Sequence, residues 1–461
     1  MANIFQHSSP KVGLRRAKRD WRRVRHSLER IYRSAVSAAD PARILKARVR
    51  SAGKNLIIKT GRGRLTIPLG KRTYLIGVGK GADRAAPVWS RLLGKQLKAG
   101  IFIVRDRVIR RRLPCIDFAV AGHPLPDARS LDAARRCKRL LAAAGADDLV
   151  IVFLMGGASS LLAEPAADIT LADKRTATAL LLKSGMAIAE INAVRKHLSA
   201  VKGGGLLRAA YPARVVTLAI SDVLGNDRSV IGSAPSFHDP TTFKDALRLV
   251  RRYRLTRRMP KAVLRRLQMG ARREVPETVK PGSDLARKTR YILLADNRTA
   301  LAAAKRQAEA LGFKTKILNA SLDGDAGERA RELAAEIKRL ARKKSRTPLC
   351  LLLGGETTVE VTGKGLGGRN QEFALASALA LAGSAGVYLL SAASDGSDGP
   401  TDAAGAFIDK TTLPRARRLG LNAWAALRRN NSYHFFRRIG GLFRPGPTGT
   451  NVLDFVIAIV E

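Results

Sequence analysis

Six short segments hold most of the side chains that could manage an anion. The first is Gly77-Val-Gly-Lys-Gly, where glycines let the backbone approach a ligand and Lys80 sits at a strand-to-helix turn. The second, MGGASSLL (Met155–Leu162), places Gly156, Gly157, Ser159 and Ser160 at a helix start, a cradle for phosphate or carboxylate. The third, Glu190–Leu207, crowds Arg195, Lys196 and Lys202 just before Gly203 and Gly204. The fourth, Ser221–Ser236, carries Asp222 and Asp227, whose oxygens suit Mg²⁺ or the orientation of a hydroxyl. The fifth is a glycine loop in which Gly363, Gly365 and Gly368 spell G-x-G-x-x-G, with Arg369 directly after. The sixth, Ser391–Ala406, sets Asp395, Asp398 and Asp402 among glycines. Each has a plainer reading beside the chemical one: a solvated turn lysine, a capping serine, a charged helix face, turn-forming acids.

The fifth loop passes for a dinucleotide fingerprint, since an extended β-branched run precedes it and an Ala/Leu-rich helix follows. The acid that should bind a ribose about 20 residues later is missing, because Gly386–Ser394 contains none and Asp395 comes late. No G-x-x-x-x-G-K-[ST] loop occurs anywhere.

These segments must be held by a scaffold, and the chain supplies one. Its 461 residues are 46% hydrophobic, enough for two or three cored domains. Leu149–Met155 and Val215–Ile220 are continuous apolar runs, as expected of strands buried on both faces. Strand, polar loop and helix then repeat, which predicts an α/β fold with a parallel sheet covered by helices. A Pro/Gly-bearing stretch, Met269–Asp284, reads as a linker, and a second α/β series is expected from Tyr291 onward. Three cysteines without a C-x-x-C, at long spacings, argue against a disulfide framework or zinc site and for a reducing cytoplasm. No apolar run reaches the ~18 residues of a membrane span. The net charge of +47 is read as a basic surface spread over the whole protein rather than a dedicated nucleic-acid surface, since aromatics are only 5% and no nucleic-acid-binding motif is present.

With these loops in order, the sequence resembles the type II glycerate 2-kinases, which join an N-terminal glycerate kinase domain to a C-terminal MOFRL domain. The motifs that carry the resemblance are GVGKGADRAA, GHPLPDARS, MGGASSLL, EINAVRKHLSAVKGG, SDVLGND, GGETTVEVTGKGLGGRNQE, ASDGSDGPTDAAGA and GPTGTNVLD, from about residue 28 onward. The resemblance implies two α/β domains, the first Rossmann-like, with the active site in the cleft between them. The expected layout is a basic extension over 1–27, a kinase domain over 28–280 and a MOFRL-type domain over 285–461, whose C-terminal strand could return to the first domain. It implies transfer of a phosphoryl group from ATP, with Mg²⁺, to the 2-hydroxyl of glycerate, by a monomer or homodimer.

Lys80 and Arg369 match the residues given catalytic roles in that family. Asp222 is the third expected catalytic residue and, with Asp227, an expected Mg²⁺ ligand. Substrate or nucleotide contacts are expected from Gly79, Gly156, Gly157, Ser159, Ser160, Asn192, Arg195, Lys202, Gly203, Gly204, Ser233, Glu356, Gly367, Gly368, Asn370, Asp395, Thr450 and Asn451. The chain departs from the family pattern at Asn226 and Asn431, where an acid is usual, at Ala234 and Ser236 in place of Gly and Thr, and at Ala393-Ser394 in place of Gly-Thr. The alternatives are a kinase-like protein of weakened activity and a hydroxypyruvate reductase using NAD(P)H, a name some relatives carry.

Overall fold

The structure, a computed structural model, describes residues 10–61, 63–109, 112–342 and 347–461, and the side chains from residue 21 onward. The chain forms two compact units. The first comprises Ala39–Asp296 and the short segment Gly449–Val452. The second comprises the N-terminal segment through Ala38, Asn297–Thr448 and Leu453–Glu461. No helix among the described residues is long and apolar enough to cross a membrane.

The first unit opens with an antiparallel meander, β1 (Val49–Ala52), β2 (Asn55–Thr60) and β3 (Gly63–Pro68). Six parallel strands follow: β4 (Thr73–Val78), β5 (Leu97–Val104), β6 (Ile116–Val120), β7 (Leu149–Leu154), β8 (Arg214–Ile220) and β9 (Thr289–Ala295). Their order is β6-β5-β4-β7-β8-β9, a doubly wound arrangement whose direction of winding reverses between β4 and β7. Every residue of β4 and β7 is buried, in register from Thr73 opposite Leu149 to Val78 opposite Leu154. Helices cover this apolar sheet. One is Ala128–Ala142, started by the Asp127 carboxylate on the Arg129 and Ser130 amides. A separate apolar cluster joins Ile191 and Val194 to Phe243, Val250 and Leu267. It anchors the helix Ile188–His197 that carries two of the site residues.

The second unit has a mixed sheet of β10 (Lys314–Leu322), β11 (Leu349–Gly355), β12 (Val387–Ala393), β13 (Gly405–Ile408), β14 (Leu442–Phe443) and β15 (Asp454–Val460). The order is β10-β11-β15-β12-β13-β14, so β15 lies in the middle, antiparallel to both neighbours. The helix Pro10–Ala38 belongs to this unit: Trp21 stacks on Tyr388 with ring centroids 5.9 Å apart, and the Tyr32 hydroxyl donates to the Ala393 carbonyl at 2.7 Å.

Several boundaries differ from those the sequence suggests. The basic N-terminal stretch does not end at residue 27, since one helix runs on to Ala38; residues 1–9 lie outside the described residues. Met269–Asp284 has the composition of a linker, yet Val279 exchanges backbone hydrogen bonds with Gly203 (2.9 Å) and Asp239 (2.7 Å), so it belongs to the first unit. The strand at Tyr291 closes the first sheet beside β8 instead of opening the second. The last strand stays in the second unit's sheet, and it is Gly449–Val452 just before it that joins the first unit. The β-branched run Thr357–Thr362 forms no strand. Gly354 and Gly355 end β11, and a loop runs from Glu356 to Gly368. The G-x-G-x-x-G segment thus lacks the strand-turn-helix setting a dinucleotide fingerprint requires.

Candidate active site

Ligands of doubly wound sheets bind beyond the strand ends at the winding reversal. The loops there follow β4 and β7: Gly79-Lys80-Gly81, continuing the GVGKG segment whose first two residues end β4, and MGGASS. They are laced together: the Met155 amide donates to the Val78 carbonyl (2.9 Å), and the Lys80 amide to the Gly156 carbonyl (2.9 Å). Gly156 and Gly157 are glycines because four side chains close over them. A methyl group on Gly157 would stand 3.0 Å from the His123 ring and 3.2 Å from Cγ of Lys80. One on Gly156 would overlap the Asp222 carboxylate and lie 3.1 Å from Cβ of Asn451. The Asn451 amide in turn donates to Asp222 Oδ2 at 3.2 Å. Lys80, Asp222 and Asn451 are therefore gathered around the two glycines, with His123, which the sequence did not single out, as a fourth neighbour. Gly79 has φ of +142° and its amide donates to Ile103 (3.2 Å), so it shapes the turn below Lys80.

One turn beyond, Ser159 is the centre of a cationic cluster. Lys202 Nζ donates to the Ser159 carbonyl (2.7 Å) and hydroxyl (3.0 Å). Arg195 Nη2 reaches the same hydroxyl at 3.1 Å, and its Nη1 reaches Asn192 Oδ1 at 3.4 Å. The Ser233 hydroxyl lies 2.9 Å from Ser159 Oγ and 3.4 Å from Asn192 Oδ1. Asn192 and Arg195 meet because they stand three residues apart on one helix face. Burial pushes Lys202 well below the ordinary lysine pKa, and Arg195 and Lys174 add their repulsion. Burial also lowers the pKa of Arg195, whose Nε has no hydrogen-bond partner. Among the described residues no carboxylate hydrogen-bonds or pairs with either cation. The nearby Lys196 is different, being paired with Asp239 at 2.6 Å.

Other expected contacts have structural work instead. The Gly203 and Gly204 amides donate to the Ser233 (3.2 Å) and Ala234 (2.7 Å) carbonyls, and side chains there would strike Thr278 and Val279. They fasten the Ser233 loop and present no amide to a ligand. Ser160 bonds back to the Gly157 carbonyl at 3.2 Å. Asp227 accepts from the Ser229 amide at 2.8 Å, closing its own turn. No group of three His, Cys, Asp or Glu side chains gathers as a metal cage among the described residues. Thr450 donates to the Ala39 carbonyl at 2.7 Å and is buried. The departures from the family pattern also become physical. Asn226 is left-handed (φ +58°), a conformation asparagine tolerates, and its amide donates to Asp296 at 2.8 Å where an acid would face an acid. Ala234 takes φ of +55° at the position where the family pattern has glycine.

In the second unit the expected anion site at the helix Arg369–Ala380 is filled from within. The Asp398 carboxylate accepts from the amides of Asn370 (3.1 Å) and Gln371 (2.9 Å) and from the Gln371 side chain (3.0 Å). Burial raises Asp398 from the ordinary 3.8 to about 6, against the pull of those amides. Gly368 is needed because a side chain there would overlap that carboxylate. Gly367 lies on the Ser432 hydroxyl, and Gly363 and Gly365 lie on the Arg429 backbone. Asn370 is buried, donating to Asp398 and accepting from Ser391 (2.8 Å). Arg369 is clamped by Asp454 (Nε–Oδ2 2.5 Å, Nη2–Oδ1 3.0 Å) and by Glu356 (2.8 Å). Burial works against its charge, but the Asp454 and Glu356 carboxylates more than offset this and raise its pKa. Asp395 accepts from the Ser397 amide at 3.0 Å. Asp454 gave no usable signal in the sequence, being the first residue of an apolar strand, and Asp398, singled out as one acid of a glycine-rich turn, holds a helix start instead.

Comparisons with known proteins bear on both units. A family described as a domain of unknown function, DUF4147, matches residues 27–268, and the MOFRL family matches residues 349–454. A D-glycerate 2-kinase of Thermotoga maritima is 38% identical over 393 residues, 84% of this chain and 91% of that protein. A protein of Agrobacterium vitis, provisionally named a hydroxypyruvate reductase, is 38% identical over 448 residues, 95% of each chain. The crystal structure of glycerate kinase from Thermotoga maritima matches with a TM-score of 0.80 at 35% identity, covering 94% of this chain and 98% of that one.

Proposed function

Since the chain belongs to the family of glycerate kinases built from DUF4147 and MOFRL domains, we propose that it transfers the γ-phosphoryl group of ATP to the 2-hydroxyl of glycerate, giving 2-phosphoglycerate and ADP. The observation that supports this most is the cluster of a half-buried Arg195 and a buried Lys202 around Ser159, two cations with which no carboxylate pairs among the described residues. Such a pair suits the carboxylate of a small hydroxy acid, which would supply the missing negative charge and join the hydroxyls of Ser159 and Ser233. Lys80 then acts as a compact cation for the transferring phosphoryl group, and Asp222 orients or accepts the proton of the attacking hydroxyl. In phosphoryl transfer positioning and charge neutralisation supply most of the catalysis, and these groups provide both.

Mg²⁺ on a nucleotide needs only one or two protein carboxylates, the phosphates and waters filling the rest. Asp222 fits that requirement, and Asp227, closed on its own turn, does not. The ion would neutralise phosphate charge; the residues described here hold and orient the acceptor. Arg369 enters the proposal as a guanidinium fixed in place by Asp454 and Glu356, its remaining N–H groups available to a phosphate edge. Three free cysteines support a reducing cytoplasm as its compartment.

The reductase reading has the strand order of the first sheet in its favour. Against it, Gly77 lies within β4 under the Phe102 ring and Gly81 lies against the Gly449 carbonyl, while the glycines at 363–368 are occupied by packing. The two readings separate in one pair of assays: ADP release with D-glycerate and ATP, and NADH or NADPH oxidation with hydroxypyruvate. The expected result is turnover in the first only, with the product identified as 2-phosphoglycerate. Cofactor oxidation without ADP release would reverse the assignment.

A further inference from the structure

A second polar group, centred on a carboxylate that the reaction as proposed does not use, adjoins the Ser159 cluster. Asp239 is fully buried. Its Oδ1 accepts from Lys196 Nζ at 2.6 Å and from the amide (3.0 Å) and hydroxyl (2.7 Å) of Thr241. Its Oδ2 accepts from the Thr278 hydroxyl at 3.0 Å and lies 3.9 Å from Nε2 of His197. Its amide donates to the Val279 carbonyl at 2.7 Å, and the Val279 amide donates to the Gly203 carbonyl at 2.9 Å. A methyl group on Gly203 would stand 3.4 Å from the same Oδ2. Burial opposes the charge on Asp239, but Lys196, His197 and Thr241 hold its pKa below the ordinary carboxylate value.

These contacts reach two of the elements that carry the cluster, each time one residue away from a cation. Lys196 follows Arg195 on the helix Ile188–His197, and Gly203 follows Lys202. The segment that ends at Asp239 starts from Ser233, whose carbonyl accepts from the Gly203 amide at 3.2 Å. Arg195 and Lys202 thus come from separate elements, and both bond to Ser159 while no carboxylate pairs with either among the described residues. We propose that Asp239 is a positioning residue that touches no substrate and fixes Arg195 against Lys202 at the spacing that receives a carboxylate. This rests on the assignment of that cluster as the glycerate site. The choice of partner follows from the chemistry. A carboxylate bonded to Arg195 or Lys202 directly would hold them but would fill the place of the substrate. One bonded to their chain neighbours holds both elements and leaves the two cations free to take an anion. The tie is firm, since a buried ion pair is costly to break on one side only. Its loss matters for binding, since a misplacement of about 1 Å at a reacting site can cost roughly a hundredfold.

The test is steady-state kinetics of the full chain with D-glycerate and ATP varied in turn, beside thermal melts. Asp239→Asn keeps the size of the side chain and removes its charge. KM for D-glycerate is expected to rise about tenfold, with KM for ATP and kcat within severalfold of wild type. Lys196→Met should raise the same KM, and the double variant Lys196→Met/Asp239→Asn should raise it no further than the worse single variant, because both break one tie. Asp148→Asn is the structural control. It removes another buried carboxylate of the first unit, paired with Arg72 at 2.8 Å just before β7, at the end of that strand away from the MGGASS loop. It should lower the melting temperature and leave KM for D-glycerate alone. An unchanged KM in Asp239→Asn, additive effects in the double variant, or an equal rise in Asp148→Asn overturns the proposal. If Asp239→Asn does not fold, Thr278→Val decides, since it removes the contact to Oδ2 and no charge: a severalfold rise in the same KM is expected, and no rise overturns the proposal. Arg195→Met separates the proposal from the reading it rests on. KM for D-glycerate should rise about a hundredfold there, and an unchanged value would overturn the site itself. A large rise in Arg195→Met with none in Asp239→Asn overturns the positioning role alone.

Discussion

The two units each place a basic residue beside a glycine-rich loop, yet they treat the charge in opposite ways. In the first unit a half-buried Arg195 and a buried Lys202 have hydroxyls, a carbonyl and an amide oxygen as partners, and their pKa values fall. In the second, Arg369 carries two carboxylates, its pKa rises, and the helix N-terminus beside it already holds Asp398. The first arrangement lacks a carboxylate partner among the described residues, whereas in the second the protein's own carboxylates already pair with the arginine and cap the helix. Proximity of arginine and glycine therefore does not identify an anion site; the deciding quantity is whether the protein has spent its own carboxylates there.

The largest effect that would sharpen this contrast is on turnover. Lys80→Ala is expected to lower kcat by roughly two to four orders of magnitude with an unchanged melting temperature. Arg369→Ala is expected to lower kcat too but also to cost about 1–3 kcal/mol of stability, because Asp454 and Glu356 lose their partner. Steady-state kinetics beside thermal melts would show it, and a stable, inactive Arg369→Ala would mean that its charge is not structural.

A smaller effect concerns stability alone. Asp398→Ala strands the amides of Asn370 and Gln371 and the Gln371 side chain, and should cost about 2–4 kcal/mol in denaturant unfolding. Gain of a phosphate or sulfate in the emptied position, seen as anion-dependent restabilisation, would confirm that Asp398 occupies an anion site.

The smallest is a slope with pH. The Asp398 pKa is raised on folding to about 6, so the folded state binds the extra proton. Its contribution to stability is fully present below the ordinary 3.8 and is lost as pH rises through about 6. Comparing wild type with Asp398→Asn between pH 4 and 7 isolates it, since carboxylates such as Glu277, held near 2 by His197 and its other partners against the effect of burial, act in the opposite direction at lower pH and cancel in the difference.

Much of the first unit could be read from the chain. Leu149–Met155 and Val215–Ile220 are apolar without interruption because both faces are covered, and the chemistry-bearing loops follow them directly. The cluster of Ser159, Asn192, Arg195, Lys202 and Ser233 is likewise drawn together as the motifs suggested. The second unit's loops misled, because a glycine selected for close packing looks the same in sequence as one selected for a ligand. Gly363 and Gly365 are there for the Arg429 backbone, and Gly368 for the Asp398 carboxylate. Lys174 was invisible for another reason: in Asp-Lys-Arg at a helix start it resembles a solvated residue, and its burial depends on helices far along the chain. The strand at Tyr291 was assigned to the wrong sheet because composition marks a break in regularity, not which side of the break a strand will pair on.

The central place of β15 has a consequence for how the protein is made. Within the sheet, β10 and β11 on one side and β12 to β14 on the other are joined through Asp454–Val460, which pairs with β11 and β12. Helix Pro10–Ala38, whose Tyr32 ring meets Phe443 and Phe455, is translated about 400 residues before that strand. At roughly 5–20 residues per second the ribosome delivers β15 on the order of 20–80 s after the helix. The first unit can bury its parallel sheet while synthesis continues. The second must wait with an unfilled slot and an undocked helix, and during that interval chaperones and proteases have their best access to the chain.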